Sequence, residues 1–162
     1  MARTGRTDPK EVFKRVVRFK DVRPLDKAYD ETQLSAHQRV LYRFFGNCAS
    51  DAKDVPPAVP GLELNMALVQ GAAGTGAPLH HHECEEIFFA VRGDWIVYFG
   101  DNGEHEILLH ELDAVSIPWD VHRGFRSTGS PNGILMAILA KGNTGLPIYR
   151  ADYASLPEIV AR

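Results

Sequence analysis

Two histidines one residue apart, His80 and His82, stand four residues before a carboxylate, Glu86, in the segment GTGAPLHHHECEEIFFAVRG that runs from Gly74 to Gly93. Neighbouring residues of a strand point to opposite faces and alternate residues share one, so both imidazoles and the carboxylate can face a common point. Two imidazoles and one carboxylate with other positions open suit non-haem iron and related divalent ions. His81 alternates to the opposite face. Glu83 and Glu85 read as exposed acids, and Cys84 as a packed thiol.

The elements that must position these groups are short strands. Leu62–Val69, Leu79–His82, Ile87–Val91, Trp95–Phe99, Glu106–His110, Ala114–Ile117, Gly124–Ser127 and Ile134–Leu139 each combine apolar and β-branched residues. Turn signals separate them: Gly93-Asp94, Asp101-Asn102-Gly103 and Pro131-Asn132-Gly133. The Asn-Gly pair predicts a type I′ hairpin turn. Regular short strands of this kind predict an antiparallel sandwich or barrel. Residues 1–60 carry little pattern and read as an N-terminal arm and linker, with Val12–Phe19 a strand or short helix. Lys53–Pro60 is a proline-rich link. Residues 141–162 read as a tail packing on the barrel, with one helical turn at Leu156–Val160.

The chain has 162 residues, 44% hydrophobic and 24% charged. That length fits one domain able to bury roughly 70% of its unfolded surface. Residues 1–23 hold eight Lys/Arg against three Asp/Glu, a net of +5 that leaves −8 on the remainder of a chain totalling −3. With no aromatic platform beside it, the basic arm reads as solvated, and no nucleic-acid partner is expected. No apolar run approaches the ~18 residues of a membrane span, so no membrane partner is expected. Cys48 and Cys84 form neither a C-x-x-C pair nor a disulfide framework, which fits a cytoplasmic protein.

The spacing G-x5-H-x-H-x3-E-x6-G, met without a gap at Gly74, His80, His82, Glu86 and Gly93, resembles the first motif of the cupin superfamily. The later segment LHELDAVSIPWDVHRGFRSTG resembles the second, with Leu112-Asp113 in place of the usual Gly-Asp, and with Pro118 and Phe125-Arg126 matching. The resemblance covers residues 61–140. It implies an all-β, cupin-type antiparallel β-barrel (jelly roll) with a divalent metal (Fe, Mn, Ni or Zn) in its mouth, held by His80, His82 and Glu86.

The second motif normally supplies a fourth ligand histidine five residues after its proline. Here that place is Arg123, and His122 lies one position early. Two registers are open. In the gapless one Arg123 points inward, where its fork suits an anionic substrate and repels a cation. In the other a residue is lost from the turn and His122 becomes the fourth ligand. The Gly-Phe-Arg match downstream favours the first, since a one-residue slip flips every side chain.

The functional expectation is a metal-dependent enzyme acting on a small organic acid or aromatic carboxylate, with dioxygenase-like or decarboxylase-like chemistry. In it Arg123, Phe88 and Trp119 touch the substrate, and His122 or Glu86 transfers a proton. A non-catalytic small-molecule-binding cupin and a sugar isomerase or epimerase of cupin fold are the alternatives. A homodimer is expected, with Val16–Phe19 as an arm that crosses to the partner.

Overall fold

The computed structural model describes residues 8–46, 55–141 and 146–149. Two antiparallel sheets face each other. One has six strands in the order β1 (Pro24–Leu25), β2 (Val40–Phe45), β3 (Asn65–Gln70), β10 (Ile134–Leu139), β5 (Glu86–Arg92), β8 (Ala114–Ile117). The other has five: β11 (Ile148–Tyr149), β4 (Gly76–His81), β9 (Arg123–Ser127), β6 (Trp95–Phe99), β7 (His105–Leu109). From β3 onward the chain crosses between the sheets at every connection except the β6–β7 hairpin, so β4 and β5 adjoin in sequence but lie in opposite layers.

The alternation in each strand explains this arrangement. In β3, β5 and β10 every second residue is buried. The inward set includes Phe88, Trp95, Val97 and Leu135, all at 0% exposure. Each such side chain contributes about 1.5–3 kcal/mol on leaving water. Phe88 of one sheet meets Phe125 of the other edge-on at 5.3 Å between rings, which ties the two sheets together, and Trp95 packs edge-on to Phe125 within its own sheet at 6.1 Å.

The sheets are wider than residues 61–140. β1 and β2 come from the stretch read as an arm, and β11 from the stretch read as a tail. Val12–Phe19 is not a strand: a single helical turn, α1 (Lys10–Phe13), is followed by coil and a 3-10 turn at Phe19–Asp21. The reading of a helical turn at Leu156–Val160, and Cys48, lie outside the described residues. The β6–β7 hairpin forms where expected, but its positive φ angles fall on Gly100 and Gly103 and not on Asn102. The loop Gly100–Glu104 is therefore longer than a two-residue type I′ turn. Among the described residues no helix is long and apolar enough to cross a membrane.

Candidate metal centre

His80 is buried near the end of β4, and His82 lies just past it. The chain then turns through Glu83 and Cys84, crosses to the other layer and starts β5 at Glu86. The three groups therefore converge across a corner between the sheets, not along one continuous strand. Their ligand atoms all lie within 4.8 Å of one another. Pro78 lies where β4 and β9 shift register, between Ala77 and His80, a place that tolerates the missing N–H. The two glycines framing the segment, Gly74 and Gly93, both adopt positive φ, and a side chain on Gly93 would collide with Ser130.

The protonation states follow from these surroundings. The Nδ1–H of His80 donates to the carbonyl of Pro78 at 2.8 Å, which leaves Nε2 with the lone pair. Burial holds His80 well below the usual imidazole range, reinforced by His82 and Arg123. Burial lowers His82 to about 3, again helped by Arg123 and then by His81. Both rings are neutral at neutral pH, so the 4.0 Å approach of His82 Nε2 to Glu86 is no ion pair. His82 Nδ1 is buried without a hydrogen-bond partner among the described residues. Neutral imidazoles with open nitrogens beside a carboxylate fit a divalent cation.

Arg123 occupies the fourth corner. It pairs directly with His80 in the β4–β9 register, and so points to the same face. It is completely buried. Its Nε donates to Glu86 Oε2 at 2.9 Å and its Nη1 to the Val121 carbonyl at 2.9 Å, while Nη2 lies 3.5 Å from the Cys84 carbonyl. Burial raises the Glu86 carboxyl, and Arg123 opposes that rise. This geometry does not match an arginine that grips an anionic substrate, because its donors are spent on Glu86 and the backbone.

His122, one residue earlier, faces away. Its ring stacks edge-on to His81 at 5.0 Å, and its Nδ1 is 4.0 Å from Asp101. It is not among the converging groups. The expectation of a fourth ligand at His122 is not met, for the reason register gives: neighbouring residues of a strand cannot share a face, and Arg123 takes the inward one. Phe88 is core packing and Trp119 is 67% exposed, and neither lines the cavity at the site.

That cavity, about 50 Å³, lies between the sheets. Leu41, Val69, Phe125 and Leu139 supply apolar wall, and the site groups close one side. Tyr29, Arg39 and Tyr149 also line it. Arg39 Nη2 donates to Glu31 Oε1 at 2.6 Å, with both side chains buried, and its guanidinium lies over the Tyr29 ring at 5.1 Å. The Tyr149 ring stands 5.9 Å from that of His80, and burial, then Glu31, raises its phenol above the usual value. Sequence reading missed this second polar group. Its members come from the arm and the tail, far from any motif.

No protein-family model and no curated protein sequence matches the chain. Among solved structures, an RmlC-like cupin family protein with a double-stranded β-helix fold from Methanocaldococcus jannaschii covers 49% of this chain and 72% of its own length, at 14% identity and TM-score 0.44. KdgF from Halomonas sp. covers 56% of this chain and 73% of its own, at 20% identity and TM-score 0.43. A mutant of Bacillus subtilis oxalate decarboxylase, a cupin-fold protein, covers 87% of this chain at TM-score 0.58 and 12% identity. The chain folds as a cupin. It spans 33% of the length of oxalate decarboxylase, and at that identity the likeness is one of fold. Within the cupin frame, the first motif supplies the corner that joins β4 to β5, and the second supplies β8 and β9.

The neutral histidines make the metal-free form of this chain acid-sensitive. Unfolded histidine takes up a proton near 6.5, whereas His82 does so only at about 3 and His80 also well below 6.5. Below 6.5 the unfolded chain binds more protons, so stability falls as pH drops toward 3. The slope is up to about 1.4 kcal/mol per pH unit for each histidine. Glu86, raised above 4.5, acts in the opposite sense, and its contribution is lost as pH rises through its folded value. The two histidines outweigh it. Urea midpoints measured from neutral pH downward are expected to fall, and midpoints that rise on acidification would contradict neutral buried imidazoles.

Proposed function

We propose that this protein is a metal-dependent enzyme acting on a small organic acid, with His80, His82 and Glu86 holding the cation. The observation that carries this reading is the convergence of two neutral imidazoles and a carboxylate within 4.8 Å beside a small cavity with apolar walls. When bound, the cation supplies Lewis-acid or redox chemistry of the decarboxylase or dioxygenase kind. The protein's own side chains orient and shield. The hydrogen bond to Pro78 aims His80, Arg123 holds Glu86 in place, and Val69, Phe125 and Leu139 exclude water. The cavity volume limits the ligand to a few heavy atoms.

Both guanidiniums near the cavity are neutralised, Arg39 by Glu31 and Arg123 by Glu86. An acid's negative charge is therefore met only at the cation, and its binding should require metal. The specific observation behind a second reading, a metal-free small-molecule-binding cupin, is the Arg123–Glu86 pair itself, which places a positive charge beside the ligand carboxylate.

One experiment separates the two. Elemental analysis of the purified and metal-reconstituted protein is expected to give one divalent ion per chain, lost in His80→Ala. Thermal shifts with small carboxylates are expected only in the metal-loaded protein. Absence of metal after reconstitution, together with metal-independent stabilisation by an acid, would replace the enzyme reading with the binding one. Localisation in the cytoplasm belongs to the same proposal and rests on cysteine usage alone.

A further inference from the structure

The five-stranded sheet carries a second group of metal-ligating side chains, on the side away from the cavity. The register that sets Arg123 opposite His80 sets His122 opposite His81, and alternation turns both outward. Same-face neighbours on adjoining antiparallel strands stand about 4.5–5.5 Å apart at Cβ. The two rings lie 5.0 Å apart at 63°. The inner pair, His80 and His82, has the same 5.0 Å separation. A metal–nitrogen bond of ~2.1 Å, extended to the ring centre, places two imidazoles on one ion about 4.5–5.2 Å apart.

Two aspartates flank this outer pair. Asp120 Oδ1 is 3.3 Å from His81 Nδ1, and Asp101 Oδ1 is 4.0 Å from His122 Nδ1. The first contact is longer than a good hydrogen bond, and His81 Nδ1, shielded from water, makes none among the described residues. The same 3.3 Å matches the spacing of two neighbouring ligand atoms on a tetrahedral zinc ion, about 3.3–3.4 Å for bonds of ~2.0–2.1 Å. The Asp120 N–H donates to the His82 carbonyl at 3.1 Å, and the Gly100 N–H to the His122 carbonyl at 3.0 Å. The loops that bear both aspartates are therefore pinned beside the histidine pair.

We propose that His81, His122 and Asp120, joined by Asp101, bind a divalent transition ion of the zinc kind on this outer side, separate from the group at His80, His82 and Glu86. Imidazole favours zinc, nickel or copper, whereas magnesium and calcium take oxygen ligands. Two carboxylates balance the charge of one such ion. The histidine side chains are mostly shielded and so held in place, while Asp120 and Asp101 are 67% and 95% exposed and can turn toward an ion without disturbing the packing. That turn is needed, because among the described residues only His80, His82 and Glu86 bring all their ligand atoms within 4.8 Å. Arg123, the neighbour of His122, points to the other face and pairs with Glu86, so its charge is directed away from the outer ion. A cation here ties the β6–β7 loop and the β8–β9 loop to the end of β4.

Zinc uptake by the full chain in equilibrium dialysis, and acylation of its histidines by diethylpyrocarbonate read by mass spectrometry, test this. The wild type is expected to hold one zinc ion more than His122→Ala. Zinc at ~10 times its dissociation constant is expected to slow acylation of His122 roughly tenfold. Acylation of the exposed His105 and His110 is expected to stay unchanged. The slowing is expected to persist in His80→Ala, which breaks the inner group, and magnesium is expected to give neither effect. Equal zinc content in the wild type and His122→Ala overturns the proposal. So does acylation of His122 that zinc leaves unchanged, or protection that vanishes in His80→Ala, since the ion would then be the inner one. The acylation readout uses the wild type and stands if His122→Ala fails to fold. An inner group that takes up no metal lowers the zinc content of both proteins alike, so failure of the enzyme reading leaves the difference between them intact.

Discussion

Replacing Arg123 with methionine is expected to destabilise the metal-free protein by about 3–5 kcal/mol, the usual cost of leaving one partner of a buried ion pair alone. Arg123 is 0% and Glu86 4% exposed, so water cannot replace the lost guanidinium. The same variant is expected to regain stability on addition of a divalent cation, and to gain more than the wild type does. In the wild type a cation at His80, His82 and Glu86 must share the carboxylate with a guanidinium 2.9 Å away. In the variant the cation becomes the only counter-charge. Each tenfold tightening of cation binding adds about 1.4 kcal/mol at saturating metal. Urea unfolding with and without metal measures both effects. An equal metal gain in the two proteins would show that Arg123 does not oppose the cation, and the proposed tension at the fourth corner would be wrong.

The strands between residues 61 and 140 are legible in the sequence because each has one face in the core and a glycine, proline or asparagine turn at its end. Trp95–Phe99, Ala114–Ile117 and Ile134–Leu139 form with the predicted limits. The apolar outer residues of β3, β5 and β10 also blur the alternation, which is why Phe88 reads as cavity lining although it faces the core. The inward turn of Arg123 is legible because Phe125 and Arg126 pin the register of β9. The convergence of His80, His82 and Glu86 is legible from spacing, but its geometry is not, because the chain bends between His82 and Glu86 into the opposite sheet. β1 and β2 are hidden for a different reason. Arg39 and Arg43 sit in or beside β2 as buried cations, and a charge in a short run hides a strand until its partner is known. For Arg39 the partner, Glu31, lies eight residues back across two 3-10 turns, a distance no periodicity marks.

That pair carries the second large effect. Glu31→Ala is expected to cost about 3–5 kcal/mol, because Arg39 would remain buried at 6% exposure with only carbonyl partners, His37 at 2.8 Å and Gly76 at 3.2 Å. Carbonyls satisfy its N–H groups without neutralising its charge. The guanidinium would then draw water or an anion into the cavity, and the Tyr149 phenol would lose its hydrogen bond to Glu31, while Tyr29 would keep the guanidinium over its ring. Affinity for a small ligand should fall with stability, although neither residue belongs to the cation group. Glu31→Gln keeps an acceptor oxygen and should recover part of the loss. Replacing Glu31 and Arg39 together by methionine removes both charges and should be far less costly than the two single changes combined. Chemical denaturation of the wild type, Glu31→Met, Arg39→Met and the double variant measures the coupling. A double variant as unstable as the sum of the singles would mean that the two residues act independently. The cavity wall beside Tyr149 would then need no buried ion pair to hold it.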